Sequence, residues 1–375
     1  MRGIGVGIIG GGYMGKAHAV AMTSVGAIFN TELRPRLEMV CATSDAAAEK
    51  YRAAYGFKRG TSDWRELVAA PEIEAIVIAS PQWTHREIAE AAFAAGKHVM
   101  CEKPLGARLD EAEAMTKAAE ASGKIHMVGF NYVRTPATQF ARQLICEGAI
   151  GDVTWFRGEH TEDFLADPDL PANWRTQSRA VGTMGDLAPH MINCALALVG
   201  DVTSLSASIG TVHKTRKSED GTKTVEVEND DHAQMMCRFA SGAMGHIYFS
   251  RVSHGRKMGY VYEVVGTKGA IRFDQEDQNA LWLYKSDDPE RTTGFKKILA
   301  GPAHPDFLPF CQGPGHGTGY QDQITIEAKD FLTAIAEGEP KWPTFRDGLA
   351  VARIVDAAWR SNETGHWQSV ENGKA

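Results

Sequence analysis

A glycine-rich turn within the first fifteen residues constrains this chain more than any other feature. Val6 to Ile9 is a short apolar run suited to a buried strand, and it leads directly into Gly10-Gly11-Gly12-Tyr13-Met14-Gly15. Strand, then G-x-G-x-x-G, then helix is the dinucleotide-binding order. Gly10 permits the tight turn, Gly12 lets backbone approach a pyrophosphate, and Gly15 lets helix pack on strand. Tyr13 and Met14 complete this candidate cofactor loop. The anion would meet free backbone N–H groups at the positive end of the helix. Taken alone, the same letters also describe a Gly-rich turn between any strand and helix, so the surrounding pattern has to decide.

That pattern alternates. Leu37 to Ala42, Ala75 to Ala79, Lys97 to Cys101 and Ile125 to Gly129 read as further strands. Between them, Lys16 to Ser24, Ala46 to Tyr55, Arg86 to Ala95 and Asp110 to Ser122 read as helices, the last two closed by Gly96 and Gly123. Such alternation implies right-handed crossovers and a parallel sheet covered on both faces, a Rossmann domain expected over residues 1–128. Near residue 130 the rhythm changes. After one helix, Thr138 to Glu147, the signals become strand-like: Val153 to Arg157, Ser204 to Ile209, Thr224 to Glu228, Ala233 to Phe239 and Ala243 to Arg251. Tyr260 to Val265 and Ala270 to Phe273 flank Gly266-Thr267-Lys268-Gly269, a compact hairpin turn. Residues 129–375 are therefore expected to form an α+β domain on a large, mostly antiparallel open sheet. Asp322 to Gly338 and Phe345 to Ser361 read as closing helices, with the C-terminal one packing back on the first domain. Two domains suit a chain of 375 residues, which exceeds one ordinary core.

Composition narrows the function. Forty Lys+Arg against 47 Asp+Glu give a net charge of −7, which argues against nucleic-acid or anionic-membrane partners. No run approaches the ~18 consecutive apolar residues of a membrane span. Met1-Arg2 and the apolar residues after it loosely imitate a signal peptide, but the glycines there make a poor hydrophobic helix. The six cysteines are scattered, with neither a Cys-x-x-Cys pair nor zinc-like spacing. They read as reduced thiols of a cytoplasmic protein, without a metal site.

Three short segments carry candidate chemistry. Ser44 and Asp45 lie where the second strand should end. An acid there accepts the ribose hydroxyls of NAD and repels the 2′-phosphate of NADP, whereas Ser44, the better-aligned position, would tolerate it. The balance favours NAD, with NADP as the alternative. Glu102-Lys103-Pro104 follows a strand at the carboxyl edge of the sheet, where ligands collect. Lys103 there either stabilises a reacting oxygen or is a loop lysine paired with Glu102. Gly185-Asp186-Leu187-Ala188-Pro189-His190 offers a carboxylate and an imidazole at i and i+4, on one face if the segment is helical. His190 suits proton transfer from an alcohol, although Pro189 fits the first turn of a helix better than its middle.

Together these segments resemble the glucose–fructose oxidoreductase / inositol dehydrogenase (Gfo/Idh/MocA) family of NAD(P)-dependent oxidoreductases. The resemblance runs through GGGYMG at the N-terminus, SPQWTH at 80–85, AGKHVMCEKP at 95–104, VGFNYVRTPA at 128–137, WR at 174–175, GTMGDLAPHMIN at 182–193 and GTKG at 266–269. It implies hydride transfer between a nicotinamide cofactor and a hydroxyl carbon of a sugar, inositol or sugar derivative. It makes Lys103, Asp186 and His190 the catalytic group, and it places Ser80, Pro81, Gln82, His85 and Glu102 with Lys103 on the cofactor. It also implies a homodimer or homotetramer built on the open sheet. Two positions depart from the family pattern: Gln82 replaces the usual Asn, and Val133 leaves Arg134, a candidate sugar contact, without its usual arginine neighbour.

Other substrate contacts are softer. Tyr132 reads as a sugar-stacking ring or as core. His160 follows a strand beside Glu162 and Asp163, a pocket edge or a solvated charge run. Trp174 reads as a substrate contact or as packing, Arg175 as a ligand for sugar hydroxyls or an anionic group, and His316 as part of a closing loop or as free surface. Two further functions share these motifs: an NAD-dependent glycoside hydrolase working by transient oxidation and elimination, and a non-catalytic cofactor-binding regulator.

Overall fold

The structure is a computed structural model that describes residues 1–371. In chain order its elements are β1 (Arg2–Ile9), α1 (Tyr13–Phe29), β2 (Leu33–Cys41), α2 (Asp45–Tyr55), β3 (Arg59–Thr61), α3 (Trp64–Ala69), β4 (Ala75–Ile78), α4 (His85–Ala94), β5 (His98–Glu102), α5 (Leu109–Ser122) and β6 (His126–Gly129). There follow α6 (Pro136–Cys146), β7 (Val153–Thr161), α7 (Thr183–Asp186), α8 (Ala188–Val199), β8 (Val202–Gly210), β9 (Thr215–Lys217), β10 (Thr224–Glu226), β11 (His232–Phe239) and β12 (Met244–Ser250). The chain ends with β13 (Gly259–Gly266), β14 (Gly269–Asp274), β15 (Ala280–Lys285), β16 (Lys296–Leu299), α9 (Tyr320–Glu337), α10 (Phe345–Thr364) and β17 (Gln368–Ser369).

These elements divide into two compact units. The first takes Met1–Arg134 and Thr318–Ala352, so it extends beyond residue 128 and also recruits a late segment. Its six strands lie in the order β3-β2-β1-β4-β5-β6, and every pair is parallel. The reversal beside β1 is the switch point at which such sheets bind ligands. The core is built from Ile4, Val6 and Ile8 of β1, Ala21, Met22 and Val25 of α1, and Val77, Met100 and Met127 of the neighbouring strands. Ile324, Ala328 and Phe331 close it from α9, which explains why a helix two hundred residues downstream belongs here. Apolar residues at i, i+4 and i+7 form one stripe on that helix.

The second unit, Thr135–Gly317 with Arg353 onward, holds a nine-stranded sheet in the order β16-β15-β14-β13-β7-β12-β11-β8-β17. All of its pairs are antiparallel except β12 with β7. On β11 burial alternates strictly, so one face is packed and the other open. The short elements β3 and α3, and the strands β15 to β17, lie where the sequence gives no periodic signal of its own.

The segment around Asp186 differs from expectation. Asp186 and His190 do not share one continuous helix, because α7 ends at Asp186 and α8 begins at Ala188. Pro189 has no N–H to donate to the carbonyl four residues back, and it instead occupies the first turn of α8.

Candidate functional site

In the first unit, Gly10 adopts φ +104°, a conformation that favours glycine, and a side chain there would meet the Ala79 carbonyl. A Cβ at Gly15 would run into the Gly10 carbonyl, so this glycine sets how closely α1 approaches β1. At Gly12 an added Cβ would meet nothing, leaving open space at the head of α1. That helix end has no side-chain cap and no acid in its first turn. An open, uncapped, acid-free N-terminus fits the diphosphate of a dinucleotide.

Aromatic rings flank this turn. Tyr13 is largely exposed, and its ring centroid lies 6.0 Å from that of Tyr320, which lies 6.1 Å from Tyr132. The Tyr320 hydroxyl donates to the Met14 sulfur at 3.3 Å. Tyr320 opens α9 and carried no signal in the sequence. Its place here follows from the packing of α9 on α1.

β2 ends at Cys41, and Ser44 is spent as the cap of α2, its hydroxyl accepting from Ala47 N at 3.2 Å. Asp45, exposed at the head of that helix, accepts from the Ser62 hydroxyl at 2.5 Å. No basic side chain occupies this turn, and Arg52 in the last turn of α2 pairs with Glu49.

The segment after β4 is tied to the one after β5. His85 is buried, with Nε2 2.9 Å from the Ser80 carbonyl and Nδ1 3.0 Å from the Pro104 carbonyl. Burial holds its pKa below the ordinary value, so the ring is neutral and donates to one of the two carbonyls at a time. Ser80 is further linked to Thr84 through their hydroxyls at 2.6 Å, and Gln82 opens the short turn between. His85 thus ties together the loops that carry Pro81 and Lys103. At the end of β5, Glu102 bonds with His18 Nε2 at 2.7 Å, both groups buried. Lys103 follows immediately, half-buried. Arg134 is committed within the scaffold: it pairs with Asp330, donates to the Trp342 carbonyl at 2.8 Å and is almost wholly buried. Nearby, burial and the charge of Glu102 push the Glu327 carboxyl upward.

In the second unit the Asp186 region gathers most of the other expected residues. Arg175 Nη1 donates to Asp186 Oδ2 at 2.8 Å. Its guanidinium also lies 4.4 Å from the Trp174 ring centroid and 5.7 Å from that of Phe164. Trp174 itself is 52% exposed, so it is not core. His160 Nδ1 is 2.9 Å from the Leu187 carbonyl and Nε2 is 3.3 Å from Glu162 Oε1. The His160 ring lies edge-on to His190 at 5.7 Å and to Tyr260 at 5.5 Å. The Tyr260 hydroxyl in turn donates to the His190 carbonyl at 3.4 Å. His160 is thereby a buried support for the joint between α7 and α8, and the solvated reading of that position falls away. His316 stands exposed in the loop before α9, apart from these contacts.

Comparison with known proteins follows this division. Residues 4–130 match the family model described as oxidoreductase family, NAD-binding Rossmann fold, and residues 138–272 match the GFO/IDH/MocA C-terminal domain. A levoglucosan dehydrogenase of Pseudarthrobacter phenanthrenivorans is 39% identical, the match spanning 99% of each chain. An inositol 2-dehydrogenase of Rhizobium meliloti is 29% identical over 95% of this chain and 96% of its own. Levoglucosan dehydrogenase solved with NADH and levoglucosan superposes with a TM-score of 0.95 at 38% identity, covering 99% of this chain and all of the other. Its apo form gives 0.98.

Proposed function

Because the chain belongs to the Gfo/Idh/MocA family of NAD-binding oxidoreductases, we propose that it is an NAD-dependent dehydrogenase of neutral sugars, with an anhydrosugar such as levoglucosan its first candidate substrate. The observation that carries this reading is the full-length identity to levoglucosan dehydrogenase, which spans both domains. Lys103, Asp186 and His190, which lie in the segments that resemble the family, are consistent with it.

The glycine cradle and the open head of α1 would hold the diphosphate, and the turn after β2 would receive the adenosine ribose. A bound nicotinamide supplies the hydride acceptor. The chain's own work is on the substrate hydroxyl. His190 takes the hydroxyl proton as the hydride leaves the same carbon, yielding a ketone and one proton. Lys103 hydrogen-bonds that oxygen and stabilises its developing negative charge. Asp186, held by Arg175, orients the hydroxyl.

Arg175 also informs substrate class. Its charge is matched by Asp186, which leaves it poorly suited to an anionic substituent. The exposed Trp174 would stack against the C–H face of a neutral pyranose. The open face of the second sheet carries exposed Met236 and Met244, which suits a homodimer or homotetramer built on that face. The six free thiols suit a cytoplasmic protein.

A panel of neutral anhydrosugars, aldoses, inositols and uronates, each with NAD⁺ or NADP⁺, tests the reading. Nicotinamide reduction with a neutral sugar and NAD⁺ is the expected result. Preference for a uronate, or release of an aglycone from a glycoside without net reduction, would overturn it.

A further inference from the structure

Asp186 closes a helix of four residues, α7, too short to fix its own position. Its first N–H groups need acceptors, and the residue before it, Gly182, has no side chain to provide one. Both acceptors come from Asp230, on the segment leading into β11. The Asp230 carbonyl accepts from Thr183 N at 3.1 Å, and its Oδ2 accepts from Met184 N at 2.8 Å. A Cβ at Gly182 would collide with this carboxyl, so the glycine is what admits Asp230 so close.

The residues on either side of Asp230 complete the frame. Asn229 Nδ2 donates to the Arg175 carbonyl at 2.6 Å, and its Oδ1 accepts from Arg251 Nη2 at 2.6 Å. Arg251 Nη1 donates to the Arg175 carbonyl at 2.8 Å and to the Val181 carbonyl at 3.0 Å, while its Nε donates to Asp231 Oδ1 at 3.1 Å. Asp231 Oδ2 accepts from Val212 N and His213 N at 2.8 and 3.0 Å. All four side chains are 1 or 2% exposed. One short run, Asn229-Asp230-Asp231, thus grips the backbone of Arg175 on one side and the helix of Asp186 on the other, and those two residues form the ion pair.

We propose that Asp230 is a positioning residue: it holds Asp186 by capping α7, while Asn229 and Arg251 hold Arg175 on the same frame. The inference rests on Asp186 acting in catalysis. Burial is costly for this carboxyl and pushes it up to about 6, and its Oδ1 has no hydrogen-bond partner among the described residues. A group kept at such cost is better explained by what it aligns than by what it stabilises.

The test compares D230A, D230N and D186N, with the double variant D230A/D186N, in cofactor-saturated steady state and in equilibrium NADH binding. D230A should lower kcat about ten- to hundredfold, the scale of a small misplacement of a reacting group, with NADH affinity unchanged. D230N, which keeps an acceptor for Met184 N, should recover most of that loss. The double variant should be no slower than D186N, because Asp230 acts only through Asp186. Additive losses, or a D230A enzyme with full kcat and merely lower thermal stability, would overturn the proposal. If D230A does not fold, G182A sets a methyl against the same carboxyl and should reproduce the kcat loss; full kcat there would also overturn it. If D186N itself retains full kcat, the reading of the active site fails, and this inference fails with it. A slow D186N beside a normal D230A sinks the inference alone.

Discussion

Arg175 donates to Asp186 at 2.8 Å, and this contact joins two residues that the sequence offers as separate substrate ligands. The pair is partly exposed, with side chains 39% and 26% accessible, so its direct contribution to stability is small. Its value lies in geometry. The guanidinium fixes the carboxylate from one side while Trp174 and Phe164 fix the guanidinium. Removing the fork in R175A should therefore lower kcat as well as raise the sugar KM, and R175K should stay defective, because a point charge does not replace a planar donor. Steady-state kinetics with saturating cofactor separates the two effects. A change in KM alone would mean that Arg175 touches substrate without orienting Asp186.

His190 is the proposed proton acceptor, and His160 stands edge-on to it at 5.7 Å. H190A should lose on the order of 10² to 10⁴ in kcat, the usual range for a general acid–base group. NADH affinity, measured by fluorescence titration, should not move. Unchanged turnover would remove His190 from the mechanism.

Cofactor choice should trace to the head of α2. Asp45 is exposed there, Ser44 is occupied as a cap, and the first turn of α2 carries no basic side chain. The enzyme should prefer NAD⁺, and D45A should relax the preference over NADP⁺ by roughly tenfold, the worth of about 1.4 kcal/mol. The ratio of kcat/KM for the two cofactors measures this directly. A variant with the same ratio would place the discrimination elsewhere.

Acid should weaken the first unit in a defined window. Burial holds His85, His98 and His126 below the ordinary histidine value, and pushes His98 down to about 4. Neutral rings are also required by contact: His98 Nδ1 accepts from Ile125 N, and His126 Nδ1 from Phe345 N. As pH falls from 6.5 toward 4, the unfolded chain binds a proton at residue 98 that the folded chain refuses, so stability declines across that range. Urea unfolding against pH should show the decline, and H98N, which retains an acceptor, should flatten it. An equal slope in the variant would contradict the assignment.

Much of this was legible in the sequence where one local pattern carries it. The Gly10 to Gly15 turn, the apolar strands and the Gly-closed helices each declare themselves within a dozen residues. So do Glu102-Lys103-Pro104 and the Asp186–His190 segment, with Pro189 already marking the break between α7 and α8. What was not legible is long-range. Tyr320 reaches the glycine turn only because α9 packs on α1, and His18 meets Glu102 only because the fold brings α1 against the end of β5. Arg134 looks like a ligand in a one-dimensional reading, and only the fold reveals Asp330 waiting for it. Asp230 sits in an acidic run that, on the page, is indistinguishable from a solvated loop. The strands β15 to β17, at or next to the edges of the second sheet, take their form from neighbours.

Hydride transfer from a neutral sugar to NAD⁺ can be followed on both reactants at once. Purified protein with levoglucosan and NAD⁺ should generate reduced nicotinamide in step with a sugar product lighter by two hydrogens, one per turnover, with K103A and H190A strongly impaired. A sugar product of unchanged oxidation state, or no reduction across the neutral panel, would rule out hydride transfer from a neutral sugar.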